Sequence, residues 1–296
     1  MKNFIVTCLL TATFQPLFLS NEKVKEKSVI WGQNGHRIVA QICYNNLDGN
    51  SKKEVNKILD YEYLAQVATW PDFIRSEKSW DFSKPWHFIT IDPNKTVEQV
   101  IDKAAKDPKI NNIYEAIDLM TSILKDDPAS IKILQDSVHK NKAKLLNNSI
   151  KATALAFLVH FIGDVHQPMH VGKNNDFGGN KISVLFFSKK TNLHSVWDSG
   201  IIEQEGLSFT DLSVFIEKHT APNKNKWQKA KMIDWVKESV NKREKIYNTL
   251  YDNTDRSTGL PSLSYDYQHD FIETVEDRLG AAGYRAAKVL NTIFNL

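Results

Sequence analysis

The chain has very little cysteine, with only Cys8 and Cys43 among its 296 residues. Cys8 lies in an N-terminal segment that we expect to be removed, so the mature chain has no cysteine pair for an internal disulfide. A chain of this length can bury a sufficient core without one.

An excess of charge of one sign is also lacking, since 38 lysines and arginines stand against 35 acidic residues and give a formal net charge of +3. This balance excludes the strong basic field that favours binding of a nucleic-acid duplex. Any contact with nucleic acid must therefore be local. The hydrophobic share of 42% and the charged share of 25% are those of an ordinary globular protein, without repeats or low-complexity segments.

Long apolar runs are absent except near the N-terminus, where Lys2 precedes a run that reaches Ser20. The run is too short and interrupted for a membrane span but is typical of a signal peptide. We therefore expect a signal peptide at 1–20, with cleavage at any point up to residue 30, and a charged spacer at 21–30. Residues 31–296 would form a single domain of an exported protein that does not enter a membrane.

The rest of the chain is mainly helical in pattern, because apolar residues recur at spacings of three and four. Helices are predicted near His36, from the N-cap Ser51 to Tyr61, in two segments of 111–146, and over 150–164, 195–204, 209–219, 225–249 and 264–292. Short β-rich runs at 86–91 and 182–187 are the strand candidates. The sum predicts a mainly α domain with one or two short β-hairpins.

The densest group of metal-binding residue types lies in residues 158–172, LVHFIGDVHQPMHVG. It contains three histidines and an aspartate, namely His160, Asp164, His166 and His170. Because His160 and Asp164 are four residues apart, their side chains lie on one face of a helix, one turn apart. The apolar residues before them indicate that this helix is buried. Pro168 ends the helix and turns the chain, so His170 can return toward the same point.

A second pair, His194 and Asp198 in LHSVWDSG, repeats the four-residue spacing. Neutral imidazole and carboxylate are ordinary zinc ligands, and this spacing lets one helix supply two of them. One such pair is usually a surface pair, but two pairs and a histidine beyond a turn indicate a site for several metal ions. Further candidate ligands are Trp31 at the mature terminus, His36, Asp72 and His87. The histidines expected at the surface are His139, His219 and His269.

Six segments carry a resemblance to a known family. They are WGQNGH at 31–36, TWPDFIR at 69–75, WHFI at 86–89, HFIGDVHQPMH at 160–170, GGN at 178–180 and HSVWDSG at 194–200. In content and order they resemble the trinuclear zinc, single-strand-specific nucleases of fungi, plants and bacteria, the S-one/P-one nuclease family. The resemblance covers most of the chain after residue 30, and it implies the multi-helix fold that phospholipase C and these nucleases share.

The resemblance also implies three zinc ions. One would be bound by Asp72, His87, His160 and Asp164, a second by His170, His194 and Asp198, and the third by His36, Asp164 and the α-amino and carbonyl groups of Trp31. A hydroxide bridging two zinc ions would attack a phosphodiester of single-stranded DNA or RNA in line. The products would be 5′-phosphorylated nucleotides, and 3′-nucleotides would be substrates as well.

Other residues take roles from the same resemblance. Arg75, three residues after Asp72, would hold a phosphate oxygen as charge develops. Phe88 would stack on an unpaired base, which explains a preference for single strands. Asn180 would face the site from its loop. We expect a monomer that needs no stable protein partner.

Three features depart from the family pattern. Thr90 stands where fungal members carry an aspartate for base recognition, which leaves the base preference open. Cys43 is alone, so the disulfides of fungal members cannot form, as in bacterial members. The apolar run ends near Ser20, about ten residues before Trp31. Either processing reaches Trp31, or the third zinc ion is bound less completely.

Two other functions remain open from the sequence. A zinc phospholipase C of the same fold shares a terminal tryptophan and an H-x-x-x-D helix, but it carries glutamate in place of Asp198 and lacks the H-Q-P-x-H run. A non-catalytic exported zinc-binding protein would keep the ligands but would not need Arg75 or Phe88. Release of nucleotides from single-stranded DNA separates the three functions.

Overall fold

The computed structural model describes residues 32–107, 109–250 and 254–295. Its α-helices are α1 (Gln33–Asn45), α2 (Gly49–Ile58), α3 (Leu64–Val67), α4 (Trp70–Phe73), α5 (Val97–Ala104), α6 (Ile113–Leu124), α7 (Pro128–Asn141), α8 (Ile150–His166), α9 (Leu193–Ser195), α10 (Ile201–Gln204), α11 (Phe209–Thr220), α12 (Lys224–Lys229), α13 (Met232–Thr249) and α14 (Tyr265–Phe294). The 3-10 segments are Ile74–Ser76, Lys78–His87, Leu146–Asn148, Pro168–His170 and Ala221–Asn223, and Val196–Gly200 is a π-turn.

The predicted mainly α fold is confirmed in these residues. A small sheet contains β1 (Ser183–Phe186), β2 (Lys189–Asn192) and β3 (Ser262–Leu263) in the order β2-β1-β3. β1 and β2 form an antiparallel hairpin, whereas β3 pairs with β1 in parallel. The strand expected at 182–187 is therefore confirmed as β1.

α8 lies at the centre of the fold, and every residue from Ala152 to His166 is buried. A helix that is apolar around its whole circumference has to be covered on all sides, and here α1, α6, α13 and α14 pack around it. Ser149 begins the helix, since its hydroxyl accepts a hydrogen bond from the Ala152 N–H. α8 is thus a rigid support for the polar side chains at its C-terminal end.

The strand expected at 86–91 is wrong. The chain forms a 3-10 helix that continues through Pro85 to His87, and it becomes extended only from Phe88. The N–H groups of Ile89 and Ile91 then donate to the carbonyl oxygens of His170 and Gly172, at 2.9 and 3.0 Å. These two hydrogen bonds fix His87 beside the turn that follows α8.

The predicted start and end of α2 also need correction. Its N-cap is Asp48 rather than Ser51, because the Asp48 carboxylate accepts a hydrogen bond from the Ser51 N–H at 2.8 Å. The helix ends at Ile58, before Asp60 and Tyr61, which have positive φ angles of 51° and 64°.

None of the described helices combines the length and the apolar character needed to cross a bilayer. The predicted signal peptide, the spacer and Trp31 lie outside the described residues.

Candidate metal centre

α8 supplies two of the predicted ligands. His160 and Asp164 have no solvent exposure, and His160 Nε2 lies 3.1 Å from Asp164 Oδ2. Their spacing of four residues therefore places them on one face of the helix, as the sequence predicts. The His36 ring on α1 stacks on the His160 ring, with the centroids 3.7 Å apart. Gly163 faces His36, where an added Cβ would lie only 3.2 Å from its Nδ1.

Asp164 lies where three other segments of the chain meet. Its Oδ1 is 3.5 Å from His36 Nε2 and 3.2 Å from His170 Nδ1. Its Oδ2 is 3.0 Å from His87 Nδ1. One buried carboxylate thus contacts ligand candidates that are far apart in the sequence.

Asp72 reaches the centre from α4. Pro71 lies in the first turn of this helix, where its missing N–H removes no hydrogen bond within the helix. Asp72 Oδ2 lies 3.6 Å from His36 Nε2, and Oδ1 lies 3.6 Å from His160 Nε2 and 4.0 Å from His87 Nδ1. Two groups of potential metal ligands result, His36 with His160 and Asp164, and Asp72 with His87 and His160.

The third group consists of His170, His194 and Asp198. Asp198 Oδ2 lies 3.0 Å from His194 Nε2, and Oδ1 lies 3.3 Å from His170 Nε2. The two imidazole rings stack with their centroids 5.0 Å apart. A regular helix was expected here, but Asp198 lies in the π-turn that follows α9. Single π-turns occur often at functional sites.

Backbone carbonyl groups orient three of the imidazoles. The Nδ1 atoms of His160, His170 and His194 lie 2.8, 2.9 and 2.8 Å from the carbonyl oxygens of Ala68, His87 and Gly178. A carbonyl oxygen only accepts hydrogen bonds, so each Nδ1 carries a proton, and in the neutral imidazole Nε2 holds the lone pair that a metal ion would bind. This is the usual arrangement around metal-bound histidines.

Gly178 is needed for one of these contacts. Its φ is +61°, and a Cβ at this position would lie 2.3 Å from the Met169 carbonyl oxygen. Only glycine therefore lets the loop approach the turn after α8 closely enough for its carbonyl to hold His194.

Many buried polar atoms of the centre lack a hydrogen-bond partner. In the described residues they include both ring nitrogens of His36, Asp72 Oδ1, His87 Nε2, Asp164 Oδ1, His170 Nε2 and Asp198 Oδ2. Leaving such atoms buried and unpaired is costly, and imidazole nitrogen and carboxylate oxygen are the donor types that zinc prefers. The residues present therefore fit a group of bound metal ions.

The pKa values of the first two groups favour the same conclusion. Burial lowers the pKa of His36, His87 and His160, so these imidazoles are neutral and able to bind metal. Burial also raises the pKa of Asp72 and Asp164, because their charged forms lose hydration. A bound cation would restore the charge interactions that burial removes.

The pKa values in the third group shift in the opposite directions. Burial would raise the pKa of Asp198, but the neighbouring His194 and His170 outweigh it and lower the value. Burial would lower the pKa of His194, but Asp198 outweighs it and raises the value. Metal binding at this pair would therefore displace a proton from His194.

Two polar residues of the central stretch were not assigned a role from the sequence. The Gln167 side chain donates a hydrogen bond to Asp198 Oδ1 at 2.5 Å and accepts one from the Met169 N–H. His166 points away from the centre, and its Nε2 accepts a hydrogen bond from Arg285. The neighbouring H-Q-P segment indicated a turn but not the direction of either side chain.

A cleft of about 300 Å³ opens beside the centre, and His87, His170 and His194 are among the residues that line it. The predicted residues Arg75, Phe88 and Asn180 all line it. Arg75 Nη1 is 3.6 Å from Asp72 Oδ1 and has no hydrogen-bond partner. Phe88 is 45% exposed.

Phe177 is a second exposed aromatic residue of this cleft, with 59% exposure. Sequence reasoning missed it, although a phenylalanine before Gly-Gly in a loop of turn-forming residues is a recognisable signal. Asn180 donates a side-chain hydrogen bond to the Phe177 carbonyl oxygen at 2.9 Å. It therefore stabilises the loop that carries Phe177 and also faces the cleft.

Trp31 itself lies outside the described residues, but the next residue reaches the centre. The Gly32 N–H donates to the Asp198 carbonyl oxygen at 2.5 Å, and a Cβ on Gly32 would lie 2.2 Å from Ser199 Oγ. Gly32, the first described residue, is thus in contact with the π-turn that carries Asp198.

Comparisons with known proteins agree with this arrangement. The S1/P1 nuclease family model matches residues 31–295. The chain is 30% identical to Endonuclease 4 of Arabidopsis thaliana over 286 residues, which cover 90% of each chain. It is 28% identical to Nuclease S1 of Aspergillus oryzae, over 89% of this chain and 91% of that protein. It is also 28% identical to Nuclease P1 of Penicillium citrinum, over 89% of this chain and 97% of that protein.

Proposed function

Because the chain belongs to the S1/P1 nuclease family, we propose that it hydrolyses single-stranded DNA and RNA to 5′-phosphorylated nucleotides at a centre of three zinc ions. As a nuclease of this family it is a hydrolase that breaks phosphodiester bonds. The observation that carries the proposal is the set of three ligand groups around the buried Asp164.

The contacts of these residues support three proposed ligand sets. Asp72, His87, His160 and Asp164 would bind one ion, and His170, His194 and Asp198 a second. His36, Asp164 and the terminal groups of Trp31 would bind the third, although His36 also contacts Asp72 and His160. When bound, the zinc ions supply Lewis-acid charge and lower the pKa of water to about 7.

Arg75 would hold the phosphate. Its guanidinium lies at the cleft wall, 3.6 Å from Asp72, with Nη1 unpaired. A planar guanidinium can donate two parallel hydrogen bonds to phosphate oxygens, and these become stronger as negative charge develops. In this role Arg75 stabilises the transition state, while Asp72 and Asp164 hold the reacting groups in position.

Phe88 and Phe177 would bind the base. Both side chains are exposed and line the cleft that also contains Arg75. Stacking on an aromatic ring needs an unpaired base and contributes about 1–3 kcal/mol per base. A duplex keeps its bases stacked on one another, so this cleft favours single strands without a broad basic surface.

The decisive experiment incubates the zinc-loaded protein with a single-stranded 20-mer, the same 20-mer as a duplex, a 3′-nucleotide and phosphatidylcholine vesicles. We expect 5′-phosphorylated products from the single strand, slower cleavage of the duplex and release of phosphate from the 3′-nucleotide. Arg75→Lys keeps the charge but removes the planar guanidinium and its two parallel hydrogen bonds, so it should lower kcat by roughly 100-fold or more. Hydrolysis of the lipid alone would support a phospholipase C, and no hydrolysis would support a metal-binding protein.

We also propose that the protein is exported and acts as a monomer. Intact mass of the secreted protein, first native and then denatured, tests both proposals together with the third zinc site. A monomer that starts at Trp31 and carries three zinc ions is expected. A chain that starts near Asn21 and carries two would mean that the site at the α-amino group is not formed.

A further inference from the structure

A second cavity adjoins the cleft of the metal centre. Thr90 and Asn174 line both cavities, so one continues directly into the other. The second cavity has a volume of about 500 Å³, within the range typical of ligand sites. Its remaining wall consists of Asp92, Lys95, Gln99, Val100 and Lys103.

The two basic residues of this wall lie at and near α5. Gln99 and Lys103 are four residues apart on the helix, so their side chains lie on one face. Lys95 precedes the N-cap Thr96 and lines the same cavity. The acidic residues Glu98 and Asp102 form the adjacent row, and Glu98 pairs with Lys237 on α13. Lys95 and Lys103 therefore line the cavity, while Glu98 is paired with a neighbouring helix.

The ammonium groups of Lys95 and Lys103 have no acidic partner among the described residues. Lys173, which lines the first cleft, pairs with Glu244 at 3.0 Å. By contrast, no ion pair within 4 Å joins Lys95 or Lys103 to an acidic group in the described residues. Asp92 is the acidic residue of the cavity wall, and its Oδ1 accepts a hydrogen bond from the Asn174 N–H at 3.0 Å. The two ammonium groups are thus free to bind an anionic ligand.

We propose that this second cavity, named here the lysine groove, binds the phosphate backbone of a single-stranded nucleic acid beyond the nucleotide held at the metal centre. The inference rests on the proposed function, because the groove adjoins the cleft in which the reacting nucleotide would lie. The groove wall carries no aromatic residue, so it holds the strand through phosphate contacts and does not read the bases. It makes the enzyme favour long strands over short ones.

The test compares the zinc-loaded wild type with Lys95→Gln/Lys103→Gln. The substrates are a dT 20-mer, a dA 20-mer and a 3′-nucleotide, which is too small to extend into the groove from the metal centre. Each phosphate contact on a single strand contributes about −0.7 to the slope of log affinity against log salt. Loss of two contacts should therefore reduce the slope of log(kcat/KM) against log[KCl] by roughly 1.4.

The double variant is expected to raise KM for both 20-mers by roughly three- to tenfold at low salt, with little change in kcat. The ratio of kcat/KM for the 20-mer to that for the 3′-nucleotide should fall by the same factor. Lys95→Glu/Lys103→Glu should enlarge each effect, because it repels the backbone. Equal losses for dT and dA identify phosphate rather than base contacts.

The matched control is Lys140→Gln/Lys144→Gln, which removes the same charge from exposed positions at the end of α7 and just beyond it that line neither cavity. It should leave the salt slope nearly unchanged. An active wild type whose KM and salt slope survive the Lys95/Lys103 change overturns the inference and leaves the nuclease function intact. A control that loses as much as the test variant also overturns it, because long-range charge would then explain the effect. A wild type that cleaves no oligonucleotide overturns the proposed function itself.

Discussion

The side-chain amide of Gln167 donates a hydrogen bond to Asp198 Oδ1 at 2.5 Å, which joins the turn after α8 to the π-turn of the third ligand group. Its carbonyl oxygen meanwhile accepts a hydrogen bond from the Met169 N–H, one residue before His170. Gln167 thus holds Asp198 and the turn that carries His170 in one fixed relation. Residues that orient metal ligands in this way strongly influence metal affinity.

Gln167→Leu should therefore weaken zinc binding at His170, His194 and Asp198 by roughly 10- to 100-fold, because the Asp198 carboxylate loses its partner. Competition with a chromophoric zinc chelator measures the affinity of each site. The control is Gln135→Leu, a change of the same type at an exposed position of α7. Unchanged affinity at the third group in Gln167→Leu would show that Asp198 is held in position without the amide.

Asp164→Asn should lower the zinc content more than any single change to a histidine of the centre. The carboxylate contacts His36, His87, His160 and His170, and an amide coordinates zinc much less well than a carboxylate. We expect fewer than two zinc ions per chain by native mass spectrometry and a loss of activity of roughly 1,000-fold or more. The exposed Asp136→Asn on α7 serves as the control. If Asp164→Asn still bound three zinc ions, the proposal that two ions share the Asp164 carboxylate would be excluded.

Phe88→Ala should raise KM for single-stranded DNA by roughly 5- to 150-fold, which corresponds to the loss of about 1–3 kcal/mol of stacking. Phe177→Ala should also raise KM for this substrate. If both rings contact one base, the binding free energy lost in the double variant should be smaller than the sum of the two single losses. Steady-state kinetics with a 20-mer measures all three variants. Phe215→Ala, at a position of α11 with 55% exposure, is the control. Additive losses would place the rings on two different nucleotides.

Glu238→Gln should destabilise the metal-free protein at neutral pH. Burial would raise the pKa of Glu238, but hydrogen bonds and charges from Arg285 and Arg278 outweigh it and lower the pKa below the ordinary value of 4.5. A lowered folded-state pKa means that the carboxylate stabilises the fold above pH 4.5 and that this contribution is lost as the pH falls through the folded-state value. Urea unfolding should show a loss of about 1–3 kcal/mol at pH 7.

The difference in the free energy of unfolding between wild type and Glu238→Gln should then shrink at pH values below 4.5, where the wild-type side chain becomes protonated. The same partners hold His166 through Arg285, so the loss should extend to the C-terminal end of α8. Asp136→Asn again provides the comparison, since an exposed pair with Lys132 contributes little. A pH-independent difference would mean that packing rather than charge stabilises this cluster.

The sequence alone determined the parts of the protein that depend on local spacing. The apolar run before His160 had to form a buried helix, and the interval of four residues had to place His160 and Asp164 on one face. Pro168 had to end that helix. The ordered motifs also identified the family, which the match over residues 31–295 confirms.

The tertiary structure decided what depends on contacts between distant segments. It made the β-rich run after Trp86 an extended segment bound to the carbonyl oxygens of His170 and Gly172, because none of the described strands pairs with this run. It turned Gln167 toward Asp198 and the adjacent His166 toward Arg285. Neighbouring residues of a helix end point in different directions, so only the packing around α8 determines which of these side chains reaches the metal centre.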